Sequence, residues 1–117
     1  MSYKYINPDY IQSVTGGDKE SVSEIVGMFR EQVAEILAEM KKLLESGDYY
    51  NLGLLAHKAK SSAAIMGMEN LAGMLKTFEL QAKEGIEKER YGFYISCFEH
   101  DTAEAITELE DYLKSIQ

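Results

Sequence analysis

The sequence predicts an all-α fold, an antiparallel up-down four-helix bundle preceded by a short N-terminal helix. Three observations carry this. Apolar residues recur at three- and four-residue steps along most of the 117 residues, which is the period of a helix face. No window shows sustained alternation of apolar and polar residues, so no sheet is expected. A single proline and glycine-containing links between the apolar stripes leave long helices joined by short turns, as in antiparallel neighbours.

Asn7-Pro8-Asp9-Tyr10-Ile11 reads as a helix start, with Asn7 as N-cap and Pro8 at the first helical position. Gly16-Gly17 ends that short helix and Asp18 can cap the next. Val22, Ile25, Val26, Phe29, Val33, Ile36, Leu37, Met40, Leu43 and Leu44 then form one apolar stripe. Glu24, Arg30, Glu31, Glu35, Glu39 and Lys42 occupy the opposite face. Ser46-Gly47-Asp48 is a stop followed by a new cap. The next stripe is Leu52, Leu55, Ala56, Ala59, Ala63 and Met66, interrupted at Gly67. Glu69-Asn70 can open a further helix that buries Leu71, Leu75, Phe78 and Ala82 and closes at Gly85. The last stripe runs from Tyr91 through Tyr94, Ile95, Phe98, Ala105, Ile106, Leu109, Tyr112 and Leu113 to Ile116.

Composition narrows the function. The chain is 45% hydrophobic and 27% charged, enough for one core and one domain. A net charge of -8 argues against nucleic acid or an anionic membrane as the main partner, because both select basic surfaces. No apolar run approaches the roughly 20 residues of a membrane span. The first residues, Met1-Ser-Tyr-Lys-Tyr-Ile, lack the basic and apolar regions of a signal peptide. A soluble, reduced, cytoplasmic protein is the expectation. One cysteine excludes an internal disulfide framework, and with two histidines it cannot make the usual zinc site. No metal or cofactor is expected. Cys97 reads as a packed thiol, and His100, among Glu99, Asp101 and Glu104, as a solvated residue.

The helix at residues 49–67 holds more than a core stripe. With Leu52 at zero and about 100° per residue, its core residues fall within roughly 60° of zero. His57 lands at about 140° and Ser61 at about 180°, with Ala64 at about 120° and Gly53 at about 100°. His57 therefore points away from the core, ringed by the small residues Gly53, Ser61 and Ala64. Lys60 lies at i+3 on the edge of the same face. From Tyr49 to Met68 there is no Asp or Glu, and the only charges are Lys58 and Lys60, a local cationic island in an acidic chain.

A neutral imidazole, with an unperturbed pKa of about 6.5, is a good nucleophile near neutral pH. A lysine one turn away can stabilise charge developing on a phosphoryl group without donating a proton. Large neighbours would block a second protein from bringing its donor in line. On geometry alone, however, a lone histidine on a helix is more often a solvated surface residue, and that reading stands beside the phosphoryl one. On the same wheel Leu54 falls at about 200° and Ile65 at about 220°. They either pack beneath the N-terminal helix or form an apolar docking patch.

The segment Ala56-His57-Lys58-Ala59-Lys60-Ser61-Ser62-Ala63-Ala64-Ile65-Met66-Gly67-Met68-Glu69-Asn70-Leu71 resembles the signature of histidine phosphotransfer (HPt) domains. That pattern is His, Lys three residues on, a small residue next, Gly ten residues after the His and Leu four residues later. Here these are His57, Lys60, Ser61, Gly67 and Leu71. Gly17-Asp18-Lys19 and Glu45-Ser46-Gly47-Asp48, before the two helices concerned, are similar to the family layout. The resemblance covers most of the chain and weakens in the final helix.

The resemblance implies a single HPt domain over 1–117, a monomer shuttling phosphoryl groups in a two-component phosphorelay. His57 would accept phosphate from the aspartyl phosphate of a response-regulator receiver domain and pass it to another, in a relay fed by a hybrid sensor kinase. Lys60 would stabilise the phosphoryl group. Glu79, where the family often has Gln or Glu, would orient the imidazole through water, unless it is a plain exposed residue. Position 61 is often Gly in the family and is Ser here, still small. Gly53, Leu54, Ala64 and Ile65 would meet the partner. No ATP-binding sequence accompanies the histidine, so the chain is expected to carry phosphate rather than act as an enzyme. Two other readings remain. A sensor-kinase dimerisation and phosphoacceptor domain usually has an acid directly after its His, where this chain has Lys58. A helical adaptor would need none of the His/Lys/small-residue combination.

Overall fold

The computed structural model describes residues 3–116, and within them it is all-helical. The helices are α1 (Pro8–Thr15), α2 (Lys19–Ser46), α3 (Tyr49–Ile65), α4 (Glu69–Glu84) and α5 (Tyr91–Ser115). A single 3₁₀ turn, Lys88–Arg90, leads into α5. The four long helices pack in a closed ring, α2 on α3, α3 on α4, α4 on α5 and α5 back on α2. The short α1 lies against α2 and α3. The molecule measures 46 × 21 × 20 Å. Its long axis matches the roughly 42 Å expected of a 28-residue helix such as α2.

The starts of α1, α2 and α3 follow the capping chemistry that the sequence announced. Asn7, Asp18 and Asp48 each accept a backbone N–H of the following first turn, from Tyr10, Ser21 and Asn51. Such caps satisfy donors that no helix can satisfy internally, each worth about 1 kcal/mol. The α2 stripe is buried at Val22, Val26, Phe29, Val33, Ile36 and Met40, and its predicted polar face is exposed throughout. The centre of the bundle is filled by Leu52, Leu75, Phe78, Phe98 and Leu109. At one end an aromatic cluster closes it, with ring centroids 5.4 Å apart for Tyr49–Tyr91, 5.5 Å for Phe78–Tyr91 and 5.1 Å for Phe78–Tyr94.

The residues before α1 form a strap that the helical pattern does not foretell. The backbone N–H groups of Lys4, Tyr5 and Ile6 all donate to the Glu108 carboxylate on α5. The Tyr3 hydroxyl donates to Asp111 at 2.8 Å. Asn7 N–H donates to the Met66 carbonyl at the end of α3. This contact explains Gly67. Its φ is +75°, and a Cβ there would sit 2.6 Å from Cβ of Asn7. Any side chain would strain the turn and lift the strap off the α3–α4 link.

Candidate functional site

α3 is built from small residues on its buried side. Ala56, Ala59 and Ala63 are buried, as are Gly53 and Ser62. Small side chains let neighbouring helices come close. At Gly53 the approach is closest, because an added Cβ would lie 3.0 Å from the Glu79 carbonyl oxygen and 3.0 Å from the Lys83 nitrogen. Gly53 was expected on the open face beside His57. It is buried against α4 instead, and its contribution is to bring α4 within reach of the histidine.

His57 stands at the middle of α3 with its side chain 56% exposed. Its Nδ1 lies 3.0 Å from Oε1 of Glu79 on α4. The expectation of a water between them, or of an exposed Glu79, is corrected on both points. The contact is direct, and the Glu79 side chain is only 9% exposed. The other carboxylate oxygen, Oε2, accepts from Nζ of Lys83 at 2.8 Å, one helical turn on.

A buried carboxylate without partners would shed its charge. Here the Lys83 hydrogen bond holds the Glu79 carboxyl below its usual range, with the His57 contact helping, against the upward push of burial. Glu79 is therefore ionised at neutral pH, and an ionised carboxylate can only accept. The hydrogen on the shared bond sits on Nδ1 of His57, which leaves Nε2 as the nitrogen available for chemistry.

The other predicted residues divide. Ser61 and Ala64 are exposed, as expected, and the Ser61 hydroxyl turns back to the His57 carbonyl at 3.4 Å. Ser61 thus adds no bulk in front of the ring. Lys60 is half-buried, Lys58 is exposed, and neither forms a hydrogen bond or ion pair with the described residues. Leu54 and Ile65 are 44% and 46% exposed, so neither packs beneath α1. Ile65 borders a shallow apolar cleft of about 190 Å³ with Ile25 and Met28 of α2. Leu54 borders a second groove with Leu43 and Lys58.

His100 is also exposed, with Nδ1 3.0 Å from Asp101 and Nε2 3.7 Å from Glu104, an acidic surround that repels phosphate. Cys97 is half-buried and its thiol is pushed up by burial, as expected of a packed, unreactive thiol. Among the described residues no cluster of three or more His, Cys, Asp or Glu could hold a metal ion. No helix of the described chain is long and apolar enough to cross a membrane.

Sequence reasoning missed Lys83. The signal that could have found it is its i+4 spacing from Glu79, the favourable orientation for an acid–base pair on a helix.

An exposed histidine held by a buried carboxylate on a four-helix ring points to a class, and the family comparison names it. The Hpt domain model matches residues 24–117, and the chain belongs to that family. Hpt domains are histidine phosphotransfer modules of phosphorelays, phosphocarriers rather than ATP-using enzymes, and they work with receiver domains and kinases. No curated protein and no solved structure gives a significant match to the chain.

Proposed function

We propose that the chain takes a phosphoryl group onto His57 Nε2 from the aspartyl phosphate of one receiver domain and passes it to another. The observation that carries this reading is the exposed imidazole whose Nδ1–H is held by a buried, ionised carboxylate. The Nε2 lone pair forms the N–P bond while the P–O bond to the receiver aspartate breaks. The electron pair leaves with that carboxylate, and no proton need move, because Nδ1 keeps its hydrogen throughout. The ring becomes cationic, and Glu79 lies 3.0 Å from it to offset the charge. In the return step the same events run backwards. A receiver labelled on its aspartate should transfer label to this chain without ATP. Failure with every receiver of the source organism would overturn the reading.

Lys60 supplies the cation for the phosphoryl oxygens. It sits one turn beyond His57 and has no partner among the described residues to surrender. One charged contact of this kind contributes on the order of 1–3 kcal/mol, or about tenfold to a hundredfold in rate. Lys60→Ala should slow transfer by that factor while phosphohistidine still forms. Lys58→Ala should cost less, because Lys58 lies about 100° further round the helix from His57. Equal losses in rapid-quench assays would show that the two lysines share one role.

The receiver docks on the apolar residues flanking the histidine, Leu54 and Ile65, with Ala64 and Ser61 leaving room between them. Exposed apolar groups beside a nucleophile suit a transient interface. Leu54→Ala combined with Ile65→Ala should weaken receiver binding about thirtyfold, from roughly 1 kcal/mol for each residue. The melting temperature should stay within a few degrees. A large fall in melting temperature with normal binding would assign both residues to the core.

The short links Gly47-Asp48 and Met66-Gly67-Met68 support an up-down, antiparallel course for the bundle. All 117 residues then form one module. It works as a monomer in the cytoplasm, in a relay fed by a hybrid sensor kinase, and its net charge of -8 disfavours nucleic acid as a competing partner.

A further inference from the structure

We infer that Lys83 is a positioning residue of this site, which shares the Glu79 carboxylate with His57 and thereby keeps that carboxylate an acceptor for the Nδ1 hydrogen, leaving Nε2 as the open ring nitrogen. The inference rests on His57 being the phosphoryl acceptor for its purpose, though not for its first test.

The geometry is a three-member chain with one oxygen per partner. Oε1 of Glu79 meets Nδ1 of His57 at 3.0 Å, and Oε2 meets Nζ of Lys83 at 2.8 Å. His57 and Lys83 are the two side chains that hold this carboxylate, so loss of either leaves one to balance its charge. The charged groups that act on Glu79 are Lys83 from its own helix and His57 from α3. Lys60 lies one turn further along α3. From α5, Tyr94 and Tyr91 face α4 and donate their hydroxyls to the side chain and backbone carbonyl of Gln81. Neither ring brings a positive charge. Among the described residues Lys83 is thus the one fixed cation bonded to this carboxylate.

Without the ammonium, one neighbour remains that can neutralise Glu79, and it does so by binding a proton. The proton has two places to go. It can make the imidazole an imidazolium beside a carboxylate. Alternatively it can make Glu79 a carboxylic acid that donates to Nδ1, which moves the ring hydrogen to Nε2. The proton count is the same, and in both forms Nε2 carries hydrogen. The nucleophilic lone pair is lost either way, so the outcome does not depend on how the pair divides its proton. Lys83 also draws on the same carboxylate that stabilises the phosphorylated, cationic ring.

The first test uses the full chain labelled with ¹⁵N, with the two ring nitrogens of His57 read by NMR at pH 7. The intact protein should show a protonated Nδ1 and an unprotonated Nε2. Lys83→Met should show a protonated Nε2, and Lys83→Gln, which keeps a donor but no charge, should do the same. Lys83→Arg should restore the original signature. A free Nε2 lone pair in a folded Lys83→Met or Lys83→Gln variant would overturn the inference. The second test is the pH profile of transfer from a phosphorylated receiver. Lys83→Met should be about tenfold slower at pH 7 and recover toward the intact rate as the pH is raised, because the lost lone pair returns when the added proton leaves. A flat tenfold loss at every pH would reduce Lys83 to a packing role and overturn the inference. If the NMR changes appear as expected but no variant, nor the intact chain, takes label on His57, the acceptor assignment falls and the role of Lys83 in the proton balance stands.

Discussion

His57→Gln should abolish phosphoryl acceptance from a phosphorylated receiver and leave the helical circular dichroism unchanged. The glutamine amide has comparable size and polarity but no basic lone pair, since its nitrogen is conjugated to the carbonyl. The fold should tolerate the change because more than half of the His57 side chain faces solvent and its one side-chain partner is Glu79. Glu79 keeps Lys83 at 2.8 Å, so the buried charge is not orphaned, and stability should fall by no more than about 1–2 kcal/mol. The loss of labelling should be complete rather than partial, because no other exposed imidazole has a comparable setting. His100→Gln is the matching control and should transfer normally, as its ring is committed to Asp101 and Glu104. Labelling of His57→Gln at the intact rate would place the acceptor elsewhere and dissolve the site.

The parts of this molecule legible in the sequence are those that depend on nearest neighbours along the chain. Asn7, Asp18 and Asp48 cap helices because a short polar side chain can reach a backbone N–H three residues on. The α2 stripe is legible because large apolar side chains leave no doubt about which face is buried. α3 is harder. A wheel centred on Leu52 confines the core to about 60° either side, yet Gly53 at about 100° and Ser62 at about 280° are both buried. Small side chains let α4 and α2 close over flanks that a larger residue would have held open. Ser62 is accommodated there by donating its hydroxyl to Gln32 on α2 at 2.8 Å. The same closeness makes the His57–Glu79 contact direct. A distance between two helices is not written in either helix alone. The strap is illegible for a related reason. Tyr5 and Glu108 are 103 residues apart, and a glutamate that gathers three backbone donors looks like any other surface acid.

Gly53→Val should be the most damaging single change outside His57, and it tests whether helix spacing sets the site. A Cβ at Gly53 would fall 2.8 Å from Cγ of Lys83 and 3.0 Å from two backbone atoms, the Glu79 oxygen and the Lys83 nitrogen. The lysine stem can swing aside, but the backbone of α4 cannot, so α3 and α4 must part by several tenths of an ångström. Overpacking of this kind costs about 1–3 kcal/mol, and a branched side chain stands at the upper end. For alanine, the better helix propensity returns up to about 1 kcal/mol, so Gly53→Ala should be mild and Gly53→Val severe. At roughly 4–8 °C per kcal/mol for a domain near this size, valine should lower the melting temperature by about 10 °C or more. The chemistry should suffer beyond the stability. Gly53 lies one turn before His57, and the residues it touches, Glu79 and Lys83, are the ones that hold the imidazole. Parting the helices stretches the 3.0 Å Nδ1–Oε1 contact and lets the ring rotate away from in-line attack, where an ångström of misplacement costs about a hundredfold. Transfer measured well below the melting temperature should therefore fall at least tenfold in Gly53→Val. A variant that melts early but transfers at the intact rate would show that the histidine is held in place by something other than the closeness of α4.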